Sequence, residues 1–441
     1  MGFLRKNMNK LRNQFIYQIF VRNYSNEGTL NKVTEDLDRL VDLGVDVVYF
    51  MPLQPIGDLG RKGKYGSPYA IKDYKAISPD LGTLEDFKNL IKVAHSKGLK
   101  VILDIVFHHS APDHHWTKEH PEFYVWKNGK LSNKVGDWSD IADFEYDNNP
   151  KLIEALHDVL DYWVEMGLDG FRFDVASLIP AEFYEYSFPR LRAKNPDLIM
   201  LAESVHFSFL NYIRFHKHVG LSDAELYQYF DVLYDYDAHE AFMGYLREGK
   251  SLDQWVNMMK MQETIYPQNY VKARNVENHD NPRIQYYTQS YEKTLQWLGY
   301  VFFAKGIAFI NNGFETGTDN LNLLFEKDPI DFSKIKPEWV DLIKKLAKMK
   351  KEPIFAQDHG YKIVSHSKDV IHLEYHTEDE IRVGIFNVGA NRGILTVDLP
   401  EGKYINQLTG KEFILRFGSV ELMDYPLVFS IDLKNKQEAN H

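Results

Sequence analysis

The stretch GFRFDVAS (170–177) sets a cation and a carboxylate on one face of an apolar strand: Phe171 and Phe173 point one way, Arg172 and Asp174 the other. On these residues alone, a structural ion pair explains the arrangement as well as chemistry does. Other ionisable groups follow other short apolar runs. Asp104 and His109 lie in DIVFHH, Glu203 closes LIMLAES, and His279 and Asp280 lie in ENHDNPR. Carboxylates gathered without a cysteine or a phosphate-binding loop point to glycoside chemistry, in which one carboxylate attacks and a second, protonated, group serves the leaving oxygen. The retaining form of that chemistry needs the two about 5–5.5 Å apart. Arg172 is expected to lower the pKa of Asp174 and keep it ionised, as suits a nucleophile. Burial behind the apolar LIMLA is expected to raise Glu203, as suits a general acid.

Bringing these groups together requires a scaffold that ends many strands at one face. Candidate strands occur at 15–21, 45–50, 100–107, 170–175, 198–204, 230–236, 272–279 and 306–313, with amphipathic helical stretches between them. Asn149 and Pro150 supply a cap and a first-turn residue to the helix that precedes 170. This alternation predicts an α/β fold, a (β/α)8 TIM barrel, whose active site lies at the C-terminal ends of the strands. The segment after strand 3 is too long for a plain connection, so 109–149 is expected to be a small insertion domain. Beyond 351 the pattern changes to period-2 alternation between turn residues, in VIHLEYH, IRVGIFNV, ILTVDL and LVFSIDL. The expected domains are therefore a barrel of 1–108 and 150–351, the insertion, and a C-terminal antiparallel β-domain, sandwich-like, at 352–441. The tail KNKQEANH is expected to be frayed.

Composition narrows the partners. Hydrophobic residues at 44% and charged residues at 26% are ordinary for a globular chain of 441 residues. The net charge of -11 argues against nucleic acid or an anionic membrane surface as partner. Disulfides are excluded because the chain has no cysteine. No signal-peptide pattern and no membrane-length apolar run is visible, so a cytoplasmic location is expected. The tract HHSAPDHH (108–115) is read as a polar loop near substrate in preference to a transition-metal site. Trp116, Tyr124, Trp126 and Trp138 are either sugar platforms or the insertion's own core. Asp137 and Asp140 are expected to cap turns.

Four motifs in order, DIVFHH (104–109), GFRFDVAS (170–177), LAES (201–204) and ENHD (277–280), resemble the α-amylase family of glycoside hydrolases, glycoside hydrolase family 13. IADFEYDN (141–148) and YGSPYAIKDY (65–74) resemble two further family segments. The resemblance implies that Asp174 is the nucleophile, Glu203 the general acid/base and Asp280 the transition-state stabiliser. It implies that Arg172 supports Asp174, that His109 and His279 hydrogen-bond the sugar being cleaved, and that Tyr69 stacks beneath it. Asp104 is expected to be a supporting structural carboxylate. The implied substrate is an α-1,4-glucan or maltooligosaccharide, and no cofactor is required.

The chain also departs from the family pattern. Where the family often has a calcium-binding Asn, this chain has His108, and the Lys-His that often closes the second motif is Ser177 and Leu178. Calcium prefers several hard oxygens, so the family's usual calcium is expected to be absent, although Asp143 matches one of its ligands. The motifs leave exo-acting α-glucosidase and transglycosylase activities open within the family. A non-catalytic carbohydrate-binding protein on the same fold is the reading from another class, opposed by retention of all three carboxylates.

Overall fold

The computed structural model describes residues 8–134, 138–366 and 369–433. Asp137 and the C-terminal tail, named above as turn cap and frayed end, lie outside these. Eight parallel strands close a barrel: β1 Phe15–Ile19, β2 Val47–Phe50, β3 Lys100–Ile105, β4 Gly170–Phe173, β5 Ile199–Ala202, β6 Val232–Tyr234, β7 Lys272–Arg274 and β8 Ile307–Asn311. Each lies within one of the eight stretches read from sequence, and β1 returns to pair with β8.

Strand alternation sorts the side chains into two layers. Ile16, Val47, Tyr49, Ile102, Leu201, Val232, Ile307 and Phe309 fill the barrel interior. Phe15, Val48, Leu103, Phe171 and Phe173 belong to the core shared with the surrounding helices. Phe173 meets Phe183, Tyr184, Phe188 and Phe230 at ring distances of 5.3–6.3 Å. This packing holds the other face of β4, and hence Arg172, toward the barrel axis. Gly170 lets β4 and β5 approach closely: a Cβ there would lie 2.1 Å from the Ile199 carbonyl oxygen.

Several helices begin at side-chain caps. Thr83 and Asp86 form a reciprocal capping box on helix Leu84–Ser96, which buries Phe87, Leu90, Ile91 and Ala94. Asn149 accepts a hydrogen bond from the Leu152 N–H, with Pro150 at the first helical position of Pro150–Glu165. Between β3 and that helix, the insertion is tied down by antiparallel pairing of His109–Ser110 with Ala142–Asp143.

After helix Pro337–Lys350, an antiparallel sheet is ordered β9 Tyr361–Val364, β10 Ile371–His376, β11 Glu380–Phe386 and then the final strand Leu427–Asp432. Two further strand pairs, 394–396 with 419–421 and 402–405 with 412–415, complete this domain. It buries its own apolar cluster, including Val383, Leu395, Leu415, Val420 and Phe429. Phe303 of the barrel packs on Tyr375 and Phe386, which joins the two domains.

Candidate active site

Arg172 is fully buried at the C-terminal end of β4, and register places it beside Asp104 of β3. Its Nη1 donates to both oxygens of Asp104, at 2.8 and 3.0 Å, and to Oδ1 of Asp174 at 3.0 Å. Its Nη2 lies 3.0 Å from Oε2 of Glu203. The cation on the opening strand therefore answers three carboxylates, two of them the predicted catalytic pair. A rigid planar fork can do this; a point charge cannot.

Asp104 also accepts from the hydroxyls of Tyr49, at 2.6 Å, and Tyr69, at 3.1 Å. Burial pushes its pKa up to about 6 against the pull of Arg172. Asp174 corrects a sequence expectation. Burial and the nearby charge of Glu203 raise its pKa well above the usual carboxylate value, outweighing Arg172. Arg172 thus orients Asp174 and offsets part of its cost.

Glu203 is buried, yet its surroundings are not the apolar pocket expected behind LIMLA. Its Oε2 accepts the backbone N–H of Val175 at 2.7 Å in addition to facing Arg172. Val175 adopts a left-handed backbone, φ +36°, ψ +47°, immediately after Asp174.

The other predicted residues converge here too. The Tyr69 hydroxyl lies 2.6 Å from Nε2 of His279, and the two rings stack at 5.4 Å. Gln18 of β1 donates to His279 Nδ1 at 2.8 Å, so the neutral ring carries its proton on Nε2. Burial lowers both His279 and His109 to about 3, leaving both rings neutral near pH 7. Asp280 is 39% exposed, with Oδ1 3.2 Å from His279 Nε2 and Oδ2 accepting from the Tyr236 hydroxyl at 3.3 Å. It is the carboxylate most open to a ligand. A cavity of about 180 Å³ opens beside His279, lined by amides that include Asn23, Asn311, Asn312, Asn320 and Asn322.

Sequence reading missed Gln18, Tyr49, Tyr236 and the Val175 N–H. The first two are in strands that read as core, and a backbone donor has no side-chain signature. Among the insertion's aromatics, Trp116 packs on Tyr74, Phe123 and Phe144, and the buried Tyr124 pairs with the Ser110 hydroxyl. Both are core. Trp138 instead touches the rings of His108, His109 and Phe209. Asp140 forms an ion pair with Lys62 at 2.9 Å. Ser177 is buried and accepts from the Val205 N–H, so it braces the loop after β5.

The family's calcium does not fit the donors present. At its expected position stand two imidazoles, His108 and His109, and one carboxylate, Asp143, not a set of hard oxygens.

An eight-stranded barrel with carboxylates held on one guanidinium at its C-terminal face is an arrangement suited to glycoside hydrolases and transferases. Comparison places the chain within that class. Residues 15–360 match the α-amylase catalytic domain, and 362–429 match the bacterial α-amylase C-terminal domain. The chain belongs to the α-amylase family.

An α-amylase from Lactobacillus plantarum is 37% identical in sequence with a TM-score of 0.91, over 96% of this chain and 100% of that one. A noncanonic maltogenic α-amylase from Thermotoga neapolitana is 29% identical with a TM-score of 0.84, over 96% and 99% of the two chains. An α-1,4-glucan:maltose-1-phosphate maltosyltransferase from Cereibacter sphaeroides is 37% identical over 212 residues. That match covers 43% of this chain and only 36% of the transferase. Among the described residues, no helix is long and apolar enough to cross a membrane.

Proposed function

We propose that this protein is a retaining glycoside hydrolase that cleaves α-1,4-glucosidic bonds in starch-type glucans or maltooligosaccharides. The observation that carries the reading is the single guanidinium of Arg172, which holds Asp174 and Glu203 on neighbouring nitrogens. That arrangement suits the short carboxylate separation of retention.

In this reading, Glu203 gives its proton to the leaving oxygen while Asp174 attacks the anomeric carbon. The C–O bond to the leaving sugar breaks and a glycosyl–Asp174 ester forms. Water, losing a proton to Glu203, then displaces Asp174 and releases the sugar with its configuration kept. Asp280 and His279 hold hydroxyls of the reacting ring, Tyr69 offers its face, and the amide-lined cavity beside His279 suits a further hydroxyl-rich unit. His109, on the insertion side, contributes a neutral imidazole. The α-amylase names of the two structural relatives support the substrate class.

Transfer to a second sugar is the alternative, favoured by the maltosyltransferase relative, though this chain spans about a third of that protein. A product time course on maltoheptaose labelled at its reducing end separates the outcomes. Several mid-length labelled products at early times are expected for endo-hydrolysis. Stepwise loss of glucose from the unlabelled end would replace this reading with an α-glucosidase, and products longer than the substrate would replace it with a transferase.

A further inference from the structure

His108, His109 and Asp143 are 5%, 4% and 0% exposed, and each turns a donor atom toward one point. Backbone pairing fixes them there. His109 is the ladder partner of Asp143, and the Phe144 N–H donates to the His108 carbonyl. His108 Nδ1 lies 3.1 Å from His109 Nδ1 and 3.7 Å from Asp143 Oδ1. Asp143 Oδ2 accepts the Lys134 N–H at 2.7 Å, whereas its Oδ1 is buried and makes no hydrogen bond. A buried carboxylate oxygen without a hydrogen bond is costly unless positive charge compensates it; the nearby charge of Lys134 acts on Asp143 through space, and a bound cation would complete Oδ1 directly.

We propose that these three residues form a site for a borderline divalent cation of the zinc class, bound through His108 Nδ1, His109 Nδ1 and Asp143 Oδ1. Nitrogen and oxygen ligands at about 2.0–2.2 Å in a tetrahedron stand roughly 3.3–3.5 Å from one another. The observed 3.1 and 3.7 Å bracket that spacing for the two pairs that include His108, and all three donors lie within 4.8 Å of one another. Two imidazoles favour zinc, cobalt or nickel and disfavour calcium and magnesium. The rings of Trp138 lie 5.9 Å from both imidazoles and form an apolar cover. The cation would tie the insertion to the end of β3 and fix the ring of His109, making the site a positioning device next to the carboxylates.

The test uses full-length protein stripped with a strong chelator and then freed of it. Calorimetric titration with zinc chloride is expected to give one tight equivalent and a raised melting temperature, while calcium chloride gives neither. Cobalt(II) in place of zinc is expected to give the intense visible bands of four-coordinate nitrogen and oxygen ligation, a readout that needs no substitution. His108→Asn and Asp143→Asn should each weaken zinc binding by at least about a hundredfold. The proposal is overturned if the wild type takes up no stoichiometric zinc, if cobalt shows only six-coordinate aqua-like bands, or if calcium alone stabilises the protein. Zinc binding left unchanged by both substitutions would assign the metal to surface histidines and overturn it equally.

Discussion

Val175 and Glu203 are joined by a hydrogen bond of 2.7 Å, from a backbone N–H held in the left-handed region to a carboxylate oxygen one strand away. A β-branched residue at φ +36° is strained by about 1–2 kcal/mol. The neighbouring Asp174 N–H is anchored to the Ile105 carbonyl. The turn is thus bent at the residue directly after Asp174, and the bend aims a donor at Glu203. Val175→Asn, which tolerates this backbone and keeps the N–H, is expected to raise stability by about 1 kcal/mol in chemical denaturation. Its turnover should stay near that of the wild type. A loss of stability would show that the side chain of Val175, and not its backbone, governs the turn.

Glu203→Gln keeps the shape of the side chain and removes the transferable proton. Turnover is expected to fall at least about a thousandfold, with an unchanged circular dichroism spectrum. Substrates whose leaving group needs no proton should recover much of the loss. Equal loss on activated and natural substrates would remove Glu203 from the acid role.

Asp174→Asn should abolish turnover and also alter the pH dependence of stability. Burial raises the folded pKa of Asp174 above its unfolded value, so the folded state binds more protons between those two values. Stability from this group is therefore present below the unfolded pKa and is lost as pH rises through the folded one. Removing the charge should make the variant melt above the wild type at neutral pH, with the difference shrinking as pH falls toward 4. Arg172 keeps Asp104 and Glu203 as partners, so the fold survives. Melting curves that stay parallel across pH 4–8 would contradict the raised pKa.

Arg172→Lys keeps the charge but cannot answer Asp104, Asp174 and Glu203 at once. Turnover should drop at least about a hundredfold, the scale of a misplacement near 1 Å. Stability is expected to fall by about 3–5 kcal/mol, because buried carboxylates lose their partner. A variant with normal kcat would mean that the fork geometry is unimportant.

Gln18→Leu leaves Nδ1 of His279 without its donor in a buried setting. The unpaired nitrogen should cost about 1–3 kcal/mol of stability, and the freed ring can exchange tautomers. Roughly a threefold to tenfold loss in kcat/KM is the expected result. Kinetics identical to the wild type would show that Tyr69 alone holds the ring.

The barrel was legible because most of its strands are short apolar runs separated by amphipathic helical stretches, one of them opened by the cap Asn149. The site was legible where ionisable groups interrupt apolar runs at strand ends, as Arg172 and Asp174 do. Gln18 and Tyr49 escaped because an inward polar residue in a short strand looks like any core position until the barrel closes around it. The electrostatics of Asp174 escaped for another reason: Arg172 is two residues away in sequence, whereas the opposing charge of Glu203 arrives from the next strand. The meeting of His109 with Asp143 depends on a two-residue ladder too short to leave a periodic signal.

The pairing of β1 with β8 has a further meaning for how the chain is made. During synthesis, β1 leaves the ribosome first and must wait with one edge bare until residues 307–311 follow. Ring closure demands a long-range loop whose entropy is met before the last hydrogen bonds repay it. Through that interval the nascent half-barrel presents two open edges, where neighbouring chains can add strands. The same closure that shelters the carboxylates leaves those edges unprotected until the last strand is made.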